Sequence, residues 1–185
     1  MAIIKRKKII NPDHKVDGFS ELFSSVLLIG HIPVASGTFG TAAGMIFFLF
    51  DPFNTYLFLV PMIIVCFIVG VITSNRMRER YGHDPSVVVI DEVVGVWVAM
   101  LFVIPMMNFV DFYIQCLILG IVFITFRFFD IIKVWPSNYF DKKDNGYGIM
   151  MDDVIAGLYA GVFSFIITDV ILLGIIIVGL GDKAL

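Results

Sequence analysis

Five carboxylates stand within or beside long apolar stretches of this sequence. They form three groups: Asp91-Glu92, Asp130 and Asp152-Asp153. A carboxylate at bilayer depth costs about 2.5–3.5 kcal/mol on insertion scales, so each group needs a cation, a partner or water. Carboxylate oxygens are also the ligands that Mg²⁺ takes, commonly shared with a substrate phosphate. The pattern therefore predicts a metal site in which all five carboxylates are candidate ligands and catalytic groups.

Two basic residues accompany the central carboxylate. Lys133 follows Asp130 by three residues, and Arg127 precedes it by three, so a helix would place all three side chains on one face. Lys133 suits a phosphate as a point charge, and Arg127, which extends the same face, is a second candidate phosphate contact. The alternative is a belt of long side chains that anchors a membrane helix at the interface.

A segment rich in glycine and hydroxyl groups, Ser36-Gly37-Thr38-Phe39-Gly40-Thr41, leads into an apolar stretch. Backbone N–H groups at a helix N-terminus can hold a phosphate oxygen, which makes Ser36, Gly37 and Thr38 candidate phosphate contacts. The segment lacks the spacing of a P-loop, and glycines at a membrane boundary often serve only turns or packing.

Other readings of these residues remain open at this point. Asp152-Asp153 could cap a helix, although one Asp would satisfy that need. His31 and His83 each stand alone in sequence, and no Ser–His or Cys–His pairing is evident, which favours metal-assisted hydrolysis over a covalent route. The residues alone do not decide between catalysis and ion transport.

The elements that position these groups are membrane helices. Of 185 residues, 59% are hydrophobic and 16% charged, with a mean hydropathy of +0.95, whereas soluble domains are about 45–50% apolar. Stretches long enough to cross about 30 Å of hydrocarbon are Thr55–Thr73, Val87–Met107, Asp111–Phe129 and Val154–Leu180, with Val34–Phe50 borderline. We predict an all-α polytopic bundle of four to five spans, with Phe19–Ile32 as a short interfacial helix.

Basic residues orient this bundle. Residues 1–18 form a basic and polar segment without the apolar core of a signal peptide, and residues 19–185 form the membrane domain. The positive-inside rule places this segment, with the loops Ser74–Ser86 and Lys133–Met151, in the cytoplasm. All the acidic groups then converge on the cytoplasmic face. Small residues from Ala156 to Gly161 predict close helix packing, and Cys66 and Cys116 are expected to be free thiols.

Four blocks, in order, resemble the bacterial phosphatidylglycerophosphatase A family over roughly residues 20–165. They are Ala35–Thr41 (ASGTFGT), Val89–Gly95 (VIDEVVG), Phe126–Lys133 (FRFFDIIK) and Gly148–Gly157 (GIMMDDVIAG). Four separate blocks in order are far more specific than any one of them.

The resemblance implies a Mg²⁺-dependent phosphatase that converts phosphatidylglycerophosphate to phosphatidylglycerol and inorganic phosphate in phospholipid biosynthesis. It implies an inner-membrane location with the site facing the cytoplasm. It also implies that the five carboxylates are the metal and catalytic groups, and that Lys133 and the loop at Thr38 contact phosphate. Val134 and Ser36 stand where the family usually has proline, changes that affect loop stiffness more than chemistry.

Three alternatives fit less well. An ion-coupled transporter would distribute its acids across the membrane depth, whereas here they gather at one face apart from Asp169. The motifs of CDP-alcohol transferases and of histidine-based lipid phosphatases are absent. A purely structural membrane subunit accounts for none of the acid groups.

Overall fold

The computed structural model describes residues 11–49 and 52–181, and within these ranges every regular element is helical. Seven α-helices are seen: α1 Gly18–Ser24, α2 Ser36–Ile46, α3 Tyr56–Tyr81, α4 Ile90–Met107, α5 Phe112–Ile132, α6 Ser137–Asp141 and α7 Gly146–Gly181. Short 3-10 turns follow α1 and α2, at Ile29–His31 and Phe47–Leu49. The all-α prediction is confirmed. Residues 1–10, which include most of the predicted basic N-terminal segment, lie outside the described residues, as do residues 50 and 51.

Four helices are long and apolar enough to cross a membrane: α3, α4, α5 and α7. The borderline fifth span is shorter than predicted, because the helical stretch is Ser36–Leu49. Its 14 residues correspond to about 21 Å at 1.5 Å per residue, less than the hydrocarbon thickness. In the described part of the chain, the predicted four to five spans therefore correspond to four helices long enough to cross a membrane and one short apolar helix.

Helix α4 is the centre of the bundle. Thirteen of its 18 residues are buried, whereas α3, α5 and α7 bury only a minority of their spanning residues and turn apolar faces outward. Helices α2, α3, α5 and α7 all pack against α4. The buried Trp97 of α4 donates its indole N–H to the carbonyl oxygen of Gly44 in α2, at 2.8 Å. This arrangement matches a helix bundle whose solvent is lipid on most sides.

The most extensive helix pair is α4 with α7, and it depends on small residues. Gly95 and Gly157 allow the two backbones to meet, and Ala156 and Ala160 are fully buried beside them. The predicted packing role of the small residues on α7 is thus confirmed. Because α4 and α7 both begin at the same end of the bundle, their close approach brings their N-terminal carboxylates together.

The N-terminal region differs from the single interfacial helix predicted for Phe19–Ile32. Val26, Leu27 and Leu28 have positive φ angles of 46°, 54° and 72°, which interrupt the helix after Ser24. The Ser25 hydroxyl donates to the carbonyl oxygen of Glu21 and accepts from the N–H of Leu28. These bonds stabilise a tight turn that local hydrophobicity does not indicate.

Two long helices extend beyond the predicted boundaries. Helix α3 continues to Tyr81, so the three arginines predicted in a loop lie on its last turns. Arg76 and Arg78 pair there with Asp17 and Asp144, each at 2.7 Å, which attaches the helix end to its neighbours. Helix α7 begins at Gly146, well before the predicted start at Val154. Both cysteines are free thiols, as expected.

Candidate active site

A cavity of about 410 Å³ lies at one end of the bundle, where α2, α4 and α7 begin and α5 ends. It brings together side chains from four separate parts of the sequence. The polar residues that line it are Ser36, Gly37, Asp84, Ser86, Asp91, Glu92, Arg127, Asp130, Lys133, Asp152 and Asp153. The predicted convergence of the acidic groups on one end of the bundle is therefore observed.

Three of the five predicted carboxylates form a compact group. Asp91 and Glu92 come from the first turn of α4, and Asp153 comes from α7, with one oxygen of each lying within 4.8 Å of the others. Asp91 and Asp153 are 8% and 4% exposed. The Oε2 atom of Glu92 is buried and has no hydrogen-bond partner among the described residues. Like charges this close repel strongly when buried, so the group fits a bound cation.

The remaining two carboxylates pair with basic residues. Asp130 lies on the last turns of α5, 2.7 Å from the Nη1 atom of Arg127 one turn earlier. The same guanidinium atom lies 4.0 Å from Oε1 of Glu92. Arg127 therefore connects Asp130 to the group of three carboxylates and remains on the cavity wall.

Lys133 bridges two carboxylates. Its Nζ atom lies 2.8 Å from Oδ2 of Asp152 and also contacts Oδ1 of Asp141. Burial alone would lower the pKa of Lys133, but these carboxylates raise it above its ordinary value, so the side chain stays charged. The prediction that Lys133 shares a helical face with Asp130 is wrong, because α5 ends at Ile132 and Lys133 has a φ of 51°.

The N-terminus of α2 forms the opposite wall. Gly37 lies directly against Glu92: a Cβ atom added to it would be 2.2 Å from Oε1 of that residue. Ser36 donates its hydroxyl to the carbonyl oxygen of Ser86 at 2.7 Å, which fixes the start of the helix to the loop before α4. Ser36 and Gly37 line the cavity, whereas Thr38 is not among the lining residues.

The capping alternative for Asp152 and Asp153 is wrong. Because α7 begins at Gly146, both lie in the second turn, and the cap is Asn145, whose Oδ1 accepts the N–H of Gly148 at 2.8 Å. The two carboxylates are thus available to the cavity. The two neighbouring carboxylates have different partners: Asp152 pairs with Lys133, whereas Asp153 lies beside Asp91 and Glu92 of α4.

Two carboxylates of the region were not singled out from the sequence. Asp84 lies on the cavity wall in the loop before α4, with a φ of 44°, and Asp141 holds Lys133 from the end of α6. Both are lone acids in polar loops, so no pattern marks them. A non-glycine residue with positive φ is the kind of local strain that often accompanies function, but it is visible only in the structure.

The histidines lie outside the cavity. His31 pairs with Glu21 at 3.1 Å, His14 pairs with Glu79 at 3.0 Å, and His83 is exposed beside the cavity loop without lining it. Asp169 is exposed on α7, far along the helix from the acidic cluster. The acids along the described chain therefore do not form a path through the bundle of the kind that an ion transporter needs.

The charge of the cavity wall indicates what the site needs in order to bind an anion. Six carboxylates and two basic side chains line it, a formal excess of four negative charges. A phosphate would be repelled by such a wall unless positive charge were added. The all-oxygen donor set of Asp91, Glu92 and Asp153 fits a hard divalent cation, which would provide that charge beside Arg127 and the α2 N-terminus.

Comparison with known proteins identifies the family. The family model described as Phosphatidylglycerophosphatase A matches residues 22–168. A Haemophilus influenzae protein named Phosphatidylglycerophosphatase A is 36% identical over 169 residues, which cover 89% of this chain and 93% of the relative. The Escherichia coli protein of the same name is 33% identical over 168 residues, 87% of each chain.

A third relative carries a different name. A Bacteroides thetaiotaomicron protein, provisionally named phosphatidylinositol-3-phosphatase, is 35% identical over 137 residues, which cover 71% of this chain and 82% of the relative. No solved structure matches the chain.

Proposed function

The chain belongs to the phosphatidylglycerophosphatase A family, and we propose that this lipid phosphatase hydrolyses phosphatidylglycerophosphate to phosphatidylglycerol and inorganic phosphate. The observation that carries the proposal is the buried group of Asp91, Glu92 and Asp153 beside Arg127. The group lies in a cavity at the end of the bundle where α2, α4 and α7 begin and α5 ends. Such a site suits a phosphate monoester attached to a lipid. We further propose a role in bacterial phospholipid synthesis, where this lipid phosphate is made.

We propose Mg²⁺ as the cofactor, held by Asp91, Glu92 and Asp153. When bound, Mg²⁺ neutralises phosphate charge and lowers the pKa of an attacking water. The unpartnered oxygen of Glu92 and the mutual proximity of the three carboxylates support this assignment. Asp130 pairs with Arg127, and Asp152 pairs with Lys133. These two carboxylates hold the basic side chains in position around the metal site.

The other side chains bind and orient the phosphate. The backbone N–H groups of Ser36 and Gly37 lie in the first turn of α2, where the N–H groups have no carbonyl partner within the helix and can hold a phosphate oxygen. Arg127 offers its guanidinium from the facing wall. Hydrolysis transfers the phosphoryl group from the glycerol oxygen to water: the new P–O bond forms to water, the ester P–O bond breaks, and the alcohol leaves with a proton.

The distribution of basic residues indicates which side of the membrane the cavity faces. The described basic residues near the cavity end include Arg76, Arg78 and Arg80 on α3, and the positive-inside rule supports a cytoplasmic position for that end. We therefore propose an inner-membrane protein whose cavity faces the cytoplasm.

A second substrate is favoured by one observation. The relative named for phosphatidylinositol-3-phosphate shares 35% identity with this chain, and both lipids present a phosphate monoester above a diacylglycerol. The match covers less of this chain than the two matches named for phosphatidylglycerophosphate, so we rank it second.

The test is phosphate release by the purified protein in detergent. Phosphatidylglycerophosphate, phosphatidylinositol 3-phosphate and phosphatidic acid are compared at equal mole fraction, with Mg²⁺ and with EDTA. We expect Mg²⁺-dependent release, fastest from phosphatidylglycerophosphate. Faster release from phosphatidylinositol 3-phosphate would make that lipid the preferred substrate. If folded protein released no phosphate from any of the three lipids, the proposal would be refuted.

A further inference from the structure

An apolar groove of about 260 Å³ separates α2 from α5 on the outer surface of the bundle. Its walls contain no polar side chain: they are Ala42, Met45, Ile46, Leu49, Leu119, Gly120 and Phe123. The α2 residues recur at the spacing of one helical face. Over the eight residues from Ala42 to Leu49 the groove runs for about 10 Å.

The groove exists because α2 and α5 both pack against α4 but touch each other little. Thr41 and Gly44 of α2 are buried, as is Phe48 in the 3-10 turn that follows, while Ile46 and Leu49 remain about half exposed. On the facing helix, a side chain added at Gly120 would meet nothing within 4 Å. The open space is therefore a property of both walls and is not a packing defect of one residue.

The same two helices that form the groove also form the catalytic cavity. On α2, Ala35 of the cavity precedes Ala42 of the groove by seven residues, two helical turns or about 10 Å, a spacing that keeps both on one side of the helix. On α5, Arg127 of the cavity follows Phe123 by four residues, about 6 Å. The apolar groove thus lies along the same two helices as the polar cavity, one helical turn from it on α5 and two turns from it on α2.

We propose that this groove holds one acyl chain of the lipid whose phosphate occupies the cavity, an inference that rests on the proposed function. The order along the helices, a charged cavity and then an apolar groove, is the order of headgroup and chain in a phospholipid. A chain gains little hydrophobic free energy on leaving one apolar medium for another. The groove therefore orients the lipid and restricts its depth, and its effect is on turnover efficiency more than on partition into the membrane.

The test fills the groove and varies the substrate chain. Gly120→Phe places a ring in the open space, and Gly174→Phe on α7 is the matched control, because a Cβ there also meets nothing within 4 Å. Phosphate release is measured in the same detergent from dihexadecanoyl and dibutanoyl phosphatidylglycerophosphate. A four-carbon chain has three C–C bonds of about 1.5 Å each, so it is shorter than about 5 Å and too short to fill the groove.

We expect Gly120→Phe to lower kcat/KM at least tenfold for the long-chain lipid and less than twofold for the short-chain lipid, with neither changed by Gly174→Phe. Ala42→Leu, on the facing wall, should shift the same ratio and serves if the first variant is not recovered folded. An unchanged ratio in both variants overturns the proposal. So does a change in detergent-corrected mass without a change in the ratio, since the groove would then be an interface between copies of the chain. Failure of the unsubstituted protein to release phosphate from either lipid would instead refute the proposed function.

Discussion

Gly157 lies directly on the backbone of Gly95: a methyl group added to Gly157 would be 2.2 Å from the carbonyl oxygen of Gly95. This contact sits one to two turns below the carboxylates of both helices. It sets the separation of α4 and α7, and thereby the distance from Asp153 to Asp91. The geometry of the acidic group is therefore a consequence of two residues that carry no functional group.

Gly157→Ala should separate α4 from α7. The overpacked methyl group is expected to cost about 1–3 kcal/mol of stability and to lower phosphate release at least tenfold, because the carboxylates move apart. Thermal unfolding in detergent and initial rates measure the two effects. Gly174→Ala, which enters open space, should retain both properties, and equal behaviour of the two variants would contradict the assigned role of the contact.

Asp91→Asn and Asp153→Asn should each lower kcat at least a hundredfold while the protein inserts and folds normally. Each change removes a charged ligand from the buried group of three but keeps the side-chain volume. Phosphate release and monodispersity in detergent are the measurements. Asp169→Asn, at an exposed position outside the cavity, is the control, and normal turnover by either site variant would remove that residue from the site.

Mg²⁺ should stabilise the folded protein as well as activate it. A ligand that binds only the native state at 100 times its Kd adds about 2.7 kcal/mol of stability. We expect the Tm of the unsubstituted protein to rise with Mg²⁺ and to fall after EDTA, with a much smaller response in Asp153→Asn. An identical Tm response in the variant would show that Mg²⁺ acts elsewhere on the protein.

Lys133→Met should lower the free energy of unfolding by about 1–3 kcal/mol, because the buried carboxylate of Asp152 loses its side-chain hydrogen-bond donor. Activity should fall with it. Asp141→Asn removes only the more exposed partner of Lys133, so its effect on turnover should stay below threefold. Tm and initial rates of the two variants test this order, and the reverse order would mean that Asp141, not Asp152, is the partner that matters.

Much of the fold and part of the site could be predicted from sequence because both depend on strong local patterns. Long apolar runs located α3, α4, α5 and α7, and paired carboxylates in those runs marked Asp91 and Asp153. A charge in an apolar run is costly to insert into a membrane, so its presence indicates a functional site. The family resemblance, now shown by relatives over most of the chain, rests on the same blocks.

The remainder depends on contacts between distant segments. Asp141 becomes relevant only because Lys133 reaches it across a turn, and Asp84 only because its loop closes the cavity. The break after Ser24 follows from three residues in a left-handed conformation that Val and Leu rarely adopt. The start of α7 was predicted too late because Gly146 and Gly148 read as a loop, whereas the packing of Gly146 against Val71 and Asn75 holds that segment against α3.

Because the cavity lies at one end of the bundle, the enzyme can act on lipids of only one membrane leaflet. A lipid whose headgroup lies in the opposite leaflet is separated from the carboxylates by about 30 Å of hydrocarbon, so only one leaflet can supply substrate. The product is released into that leaflet as well. Any appearance of the dephosphorylated lipid on the other surface then depends on transbilayer movement, a step that this chain does not perform by its chemistry.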